Sequence, residues 1–254
     1  MMQSPEHPPR HLIAMPFDPV ERSQAAEEAC MRSAARRYHR FRAAKYYGGI
    51  VTADAVGCSF LCAFCWNYRR NADPGRCGSF FSPQQVVERM AALAHRSGYR
   101  LFRITGSEPV LGERSLEHLM AVIAGIRARI PEAEFVLETN GLILGFRPDS
   151  AERIPAEGVA VRVAIKGTDE GSFERITGAR KEFFDYPFRA ILCLERRGIH
   201  VWPAVMGDMH TREELRSLRH HMQTIGIRSP LETETLERYP SVVENLALRG
   251  IAVR

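Results

Sequence analysis

Three thiols stand close together in the stretch Gly57-Cys58-Ser59-Phe60-Leu61-Cys62-Ala63-Phe64-Cys65-Trp66-Asn67, at C-x3-C-x2-C spacing. Spacings of two and three residues let one loop wrap three cysteines around a single inorganic core. A cubane 4Fe–4S cluster normally takes four thiolates, one per iron. No fourth cysteine follows within reach of this loop, so one iron would be open to an exogenous ligand. An open metal position marks a catalytic site, because a closed one has no room for a substrate. The competing reading is a non-catalytic iron–sulfur or zinc-binding protein. Zinc would need a fourth ligand, and the nearest downstream histidine is His95. An electron-transfer cluster would need a fourth cysteine or another capping ligand.

The loop follows an apolar, β-branched run at 50–56, which reads as a strand. Strands and helices then alternate. Ser82-Pro83 opens a helix to about residue 97, with a serine N-cap and proline in its first turn. Further strands are expected at 101–104, 135–139, 159–165, 201–206 and 227–231, with helices at 115–130, 183–197, 211–225 and 240–248. Six strands with intervening helices imply right-handed crossovers and a parallel sheet. Periodicity alone leaves a partial barrel and an open doubly wound sheet both standing.

Upstream, an irregular proline-bearing arm leads to an alanine- and glutamate-rich helix expected over 20–37. A basic cluster follows, Arg36, Arg37, His39, Arg40, Arg42 and Lys45, interleaved with Tyr38, Phe41, Tyr46 and Tyr47. It has the composition of a polyanion contact. A solvated helix end whose aromatics pack on the domain is the blander reading and outweighs it.

The chain of 254 residues is 45% apolar and 26% charged, which excludes a disordered or low-complexity protein. No apolar run is long enough to span a membrane, and the first ten residues lack a secretory core. Clustered thiols with three scattered ones (Cys30, Cys77, Cys193) argue for metal in a reducing cytoplasm rather than a disulfide framework. The net charge of +5 fits anionic partners without choosing among them.

The cysteine spacing and its position after a strand resemble the radical S-adenosylmethionine (SAM) superfamily. The resemblance implies an α/β fold, a partial (β/α)6 TIM-type barrel, here with an N-terminal helical extension. It implies a 4Fe–4S cluster on Cys58, Cys62 and Cys65, with the open iron chelated by the amino and carboxylate groups of SAM. Phe64 fits the superfamily's preference for an aromatic residue before the third thiol. Later motifs fall at successive strand ends, where functional groups gather in parallel α/β folds. Gly106-Ser107-Glu108-Pro109 looks like the Gly-Gly-Glu-Pro segment that binds the SAM amino group, with Ser107 in place of the second glycine. Glu138-Thr139-Asn140-Gly141 is similar to the Asp-Thr-Asn-Gly of glycyl-radical-enzyme activating enzymes and to the Glu-Thr-Ser-Gly of 7-carboxy-7-deazaguanine synthases. Ala164-Ile165-Lys166 looks like the activating enzymes' Asp-Leu-Lys, whose lysine would neutralise the SAM carboxylate.

On these matches the expected cofactor-binding residues are Phe64, Gly106, Ser107, Glu108, Glu138, Thr139, Arg162 and Lys166. Arg162 enters through strand alternation, which places it on one face with Ala164 and Lys166. With Arg103 and Glu138 they are expected to line a polar, net-positive cavity. The resemblance implies reductive cleavage of SAM to a 5′-deoxyadenosyl radical, with electrons from a reductant such as flavodoxin or ferredoxin. It is closest to the activating enzymes, hence a role on a protein or peptide; modification of a small metabolite or a nucleic-acid base is the alternative. The expected division is 1–48 as an N-terminal arm and basic helix, 49–232 as the barrel, and 233–254 as a C-terminal helical tail.

Overall fold

The computed structural model describes residues 13–253. The described chain begins with helix α1 (Pro19–Cys30), a two-residue strand β1 (Met31–Arg32) and strand β2 (Ala35–Ala44). Strand β3 (Ile50–Ala55) leads into the cysteine loop, which α2 (Tyr68–Ala72) and β4 (Ser79–Phe81) follow. The repeating part runs α3 (Pro83–Ser97), β5 (Leu101–Thr105), α4 (Glu113–Arg129), β6 (Glu134–Thr139) and the short helices α5 (Leu142–Phe146) and α6 (Pro148–Glu152). Then come β7 (Val159–Ile165), α7 (Glu170–Thr177), α8 (Tyr186–Arg196), β8 (Val201–Met206), α9 (Arg212–Thr224), β9 (Glu232–Glu234) and α10 (Pro240–Leu248).

All strands join one sheet in the order β1-β2-β3-β5-β6-β7-β8-β9, with β4 paired to β2. From β3 to β9 every pairing is parallel, and β9 pairs only with β8, so the six-stranded barrel stays open. The helices cover its outer face. On β7, Val161, Val163 and Ile165 are buried toward them while Arg162 occupies the opposite face. α3 has local reasons to form: Ser82 and Gln85 make a capping box, Pro83 occupies the first turn, and Gly98 ends the helix in the left-handed region. Its Val86, Val87, Met90 and Ala94 face the core.

The basic segment differs from expectation. Helix α1 stops at Cys30, and residues 35–44 form β2, antiparallel to β3, in place of a basic helix end. Arginine and alanine favour helix, but the exposed edge of β3 supplies a full set of unpaired backbone groups, and pairing overrides propensity. The arginines of this strand are used internally. Arg37 donates to the carbonyls of Ala29 and Gly78 and lies over the Phe80 ring, while Arg40 and Arg42 both bind the buried carboxylate of Asp54. The last parallel strand is also displaced, to 232–234 rather than 227–231, because Glu232 and Glu234 reach the Arg162 guanidinium across the barrel wall. No helix among the described residues is long and apolar enough to cross a membrane.

Candidate iron–sulfur and SAM site

The cysteine loop leaves β3 at Gly57, whose φ of +93° suits glycine. A Cβ there would lie 2.7 Å from the Cys30 sulfur, so the turn is also sterically closed to side chains. The loop then runs along the last turn of α7: Leu61 N–H donates to Thr177 O at 3.0 Å and Ala63 N–H to Ile176 O at 2.8 Å. Cys58, Cys62 and Cys65 are all free thiols. Burial pushes each of them up, Cys65 to about 11, and Lys166 pulls Cys62 and Cys65 back down. The Asn140 amide lies 3.8 Å from the Cys58 sulfur, and the Asn71 amide 3.8 Å from that of Cys65.

The Gly106–Pro109 turn sits beside this loop and is held from three sides. Gly106, at φ +82°, packs against the end of β3, and its carbonyl accepts from the Asn67 amide. Glu108 N–H donates to Gly57 O at 3.1 Å. Arg36, on β2 and 1% exposed, donates to the carbonyl of Glu108 at 2.6 Å and to that of Pro109. Ser107 is not among the residues at positive φ, so the missing second glycine costs no backbone strain. The Glu108 carboxylate is buried and accepts from Thr139 Oγ1 (2.6 Å), Asn140 N–H (2.7 Å) and Val110 N–H (3.1 Å). That ties the turn after β5 to the turn after β6. Lys166, at the end of β7, reaches back over the Phe64 ring with its Nζ 5.3 Å from the centroid.

These residues fit the expected cofactors. Three free thiols lie on one loop, two of them with an amide donor 3.8 Å from sulfur, a contact that suits a cluster-bound thiolate. Among the described residues, no group of three or more Cys, His, Asp or Glu side chains is placed to hold a metal ion. The Ser107 hydroxyl is buried without a hydrogen-bond partner among the described residues, an orphaned donor in the turn expected to meet SAM.

Residues 54–224, more than half of the chain, match the radical SAM superfamily. The chain belongs to that superfamily. Curated relatives include GTP 3',8-cyclase of Synechococcus sp. (strain CC9902), 31% identical over 122 residues, covering 48% of this chain and 32% of the cyclase. A probable GTP 3',8-cyclase of Thermoplasma volcanium is 29% identical over 122 residues, covering 48% of this chain and 33% of the relative. The chain thus spans about a third of the length of these relatives. Among solved structures, anSMEcpe with bound AdoMet superposes with a TM-score of 0.54 at 16% identity, over 71% of this chain and 49% of that one. Streptococcus suis SuiB bound to S-adenosylmethionine superposes with a TM-score of 0.55 at 14% identity, over 72% and 39%. Both likenesses show the partial-barrel fold. Members of the superfamily are enzymes that use a 4Fe–4S cluster and SAM and draw on an electron donor.

The inner wall of this radical SAM barrel is more fully paired than the sequence suggests. Glu138 accepts from Arg103 (2.6 Å), Thr105 (2.7 Å) and Tyr47 (2.9 Å). Arg162 binds Glu232 at 2.9 Å and Glu234 at 2.8 Å, and Trp202 donates to the same Glu232. Arg40 and Arg42 face Asp54, Arg103 faces Glu138, and Arg162 faces Glu232 and Glu234, so four arginines meet four carboxylates. Buried charges require such matching. Lys166 makes no ion pair among the described residues, while Glu138 and Arg162 are committed to the wall.

Of the expected site residues, the three cysteines, Phe64, Gly106, Ser107, Glu108, Thr139 and Lys166 come together, and Glu138 and Arg162 lie in the wall beneath them. Sequence reasoning missed Arg36, Asn71 and Asn140 as parts of the site. Asn140 stood inside a motif, next to Thr139, and its spacing gave a usable signal. Arg36 gave none beyond belonging to a basic run.

Proposed function

We propose that this enzyme binds a site-differentiated 4Fe–4S cluster through Cys58, Cys62 and Cys65 and cleaves SAM reductively to abstract hydrogen from a substrate in the barrel mouth. The observation that carries the reading is the joining of three strand ends at the thiols: the Glu108–Thr139 hydrogen bond, the Asn140 amide at Cys58, and Lys166 against Phe64. When bound, the cluster and SAM supply one electron and a 5′-deoxyadenosyl radical, with methionine as co-product. The chain's residues orient and shield. Gly106 and Ser107 meet the SAM amino group, and the orphaned Ser107 hydroxyl supplies a hydrogen bond there. Lys166 neutralises the SAM carboxylate. Glu108 acts behind them by fixing Thr139 and Asn140, since its carboxylate already accepts three internal hydrogen bonds. Glu138 and Arg162 shape the wall that encloses the substrate and excludes water.

The catalytic barrel spans 49–232, and the described parts of the flanking segments, 13–48 and 233–253, complete the site rather than act separately. A reductant such as flavodoxin or ferredoxin is the electron donor, and the reducing conditions the thiols need support a cytoplasmic location. Two substrate readings stand. An activating-enzyme-like action on a protein or peptide follows from the Thr139-Asn140-Gly141 and Lys166 motifs. Modification of a small metabolite or nucleic-acid base is favoured by the GTP 3',8-cyclase relatives. Anaerobic reconstitution with iron and sulfide, followed by dithionite and SAM, tests the reaction. 5′-Deoxyadenosine and methionine are expected, and their absence from protein holding a full cluster overturns the reading. Isotope transfer from a deuterated peptide or nucleotide pool into 5′-deoxyadenosine separates the substrate classes.

A further inference from the structure

The superfamily match ends at residue 224, yet the chain beyond it returns to the cysteine loop. Helix α10 buries Val242 and Leu246, and Arg249 caps its end. The Arg249 guanidinium donates through Nη1 to Ile176 O at 2.8 Å and through Nη2 to Leu61 O at 2.5 Å. Leu61 immediately precedes Cys62. Ile176 O also accepts from Ala63 N–H, immediately after Cys62. Arg249 therefore doubles the seam between the cysteine loop and α7 on both sides of the middle thiol. Its other neighbour is Tyr68, whose ring centroid lies 5.7 Å from the guanidinium carbon and whose hydroxyl lies 3.4 Å from Nη2.

We propose that Arg249 sets the reduction potential of the cluster, by holding a fixed positive charge against the Cys62 segment from outside the barrel. The inference rests on the cluster assignment above. Its physical basis is simple. One-electron reduction adds a negative charge to the cluster, so a nearby fixed cation stabilises the reduced form and raises the potential. Two cations stand beside the Cys62 segment, Lys166 over the Phe64 ring and Arg249 on the Leu61 carbonyl. Lys166 is assigned to the SAM carboxylate and is neutralised when SAM binds. The hydrogen-bond partners of Arg249 are two carbonyls and a phenol, none of which cancels its charge.

The test is a potentiometric titration of the reconstituted full chain, followed by electron paramagnetic resonance, on wild type, Arg249→Gln and Arg249→Lys. Iron and sulfide content is measured first. The expected result is a midpoint potential shifted negative in Arg249→Gln and retained in Arg249→Lys. An unchanged potential in Arg249→Gln overturns the proposal, and so does a shift of equal size in Arg249→Lys. Should Arg249→Gln fail to hold a cluster, Arg249→Lys decides: a cluster at the wild-type potential supports the charge, and its loss there too assigns Arg249 to loop geometry and overturns the proposal. A wild-type chain that takes up no cluster removes the cluster assignment itself, a result distinct from all of these.

Discussion

Arg36 and Glu108 lie 72 residues apart in sequence, and the guanidinium of the first donates to the main-chain carbonyl of the second at 2.6 Å. The same guanidinium also donates to the carbonyl of Pro109. A strand outside the parallel barrel thereby holds the turn proposed to meet SAM. The contact is fully buried, so its partners have no water to turn to.

Replacing Arg36 by methionine keeps the stem's bulk and leaves two carbonyls unpaired. Hydrogen bonds to a charged group contribute about 1.5–3 kcal/mol each, so a stability loss of roughly 3 kcal/mol or more is expected. Urea unfolding of the apoprotein reads it. Arg36→Lys, with one ammonium for two carbonyls, should fall between. In the reconstituted protein, SAM affinity by equilibrium dialysis should follow the same order, and equal affinity in the wild type and both variants would show that the turn needs no such support.

A second prediction concerns acid. His118 is buried on α4, with Nδ1 at 2.8 Å from Ala34 O and Nε2 at 2.8 Å from the Tyr38 hydroxyl. Nδ1 donates and Nε2 accepts, which fixes the neutral ring. Burial, with Arg36 nearby, brings its pKa down to about 4. A histidine depressed in the folded state contributes stability that is complete above the unfolded value near 6.5 and drains as pH falls from there toward 4. The expected loss at pH 5 relative to pH 7.5 is roughly 2 kcal/mol from this group. Chemical unfolding across that range should show a slope that His118→Gln flattens; parallel slopes in the two proteins would remove the assignment.

Much of the site was legible because it is local. Cysteines spaced by three and two residues must share a loop, and β-branched runs such as Val159–Ile165 identify themselves as strands. What was not legible depends on contacts across many residues. Residues 35–44 carry helix-favouring arginine and alanine, and only the neighbouring β3 edge makes them a strand. Glu232 and Glu234 lie just past the strand expected at 227–231, and Arg162, 70 residues before Glu232, draws that carboxylate into the wall. The expected ionic lining of Arg103, Glu138, Arg162 and Lys166 named none of the partners Tyr47, Glu232 and Glu234, because alternation gives a face and not a partner.

The Arg162 pairing carries its own test. Arg162 is 7% exposed, but Glu232 and Glu234 have side chains 43% and 37% exposed, so they regain water when the arginine is removed. Arg162→Met should therefore cost roughly 1–2 kcal/mol, below the ~3–5 kcal/mol of breaking a fully buried pair. The loss should be concentrated at the open edge. Amide exchange at 232–234 and fluorescence of Trp202, which donates to Glu232, should both report a loosened β9. Unaltered exchange there would show that backbone pairing with β8 alone holds the strand.

Glu108 gives the sharpest single-atom test. Its Oε1 accepts from Thr139 Oγ1 and Val110 N–H, and its Oε2 from Asn140 N–H. All these bonds point into the carboxylate, so the ionised form is the one the site is built around, although burial raises the group's pKa. Glutamine has the same shape but one oxygen and one amide nitrogen. Whichever way it turns, a backbone N–H, that of Val110 or of Asn140, then faces another donor. The cost of one such buried unpaired group is about 1–3 kcal/mol. Glu108→Gln should lose that much in apoprotein unfolding by guanidinium chloride. Glu108→Ala should lose more, since it orphans all three donors. If Glu108→Gln unfolds with the wild-type midpoint, the carboxylate does not tie the two turns together, and its contribution must then be sought in contact with SAM alone.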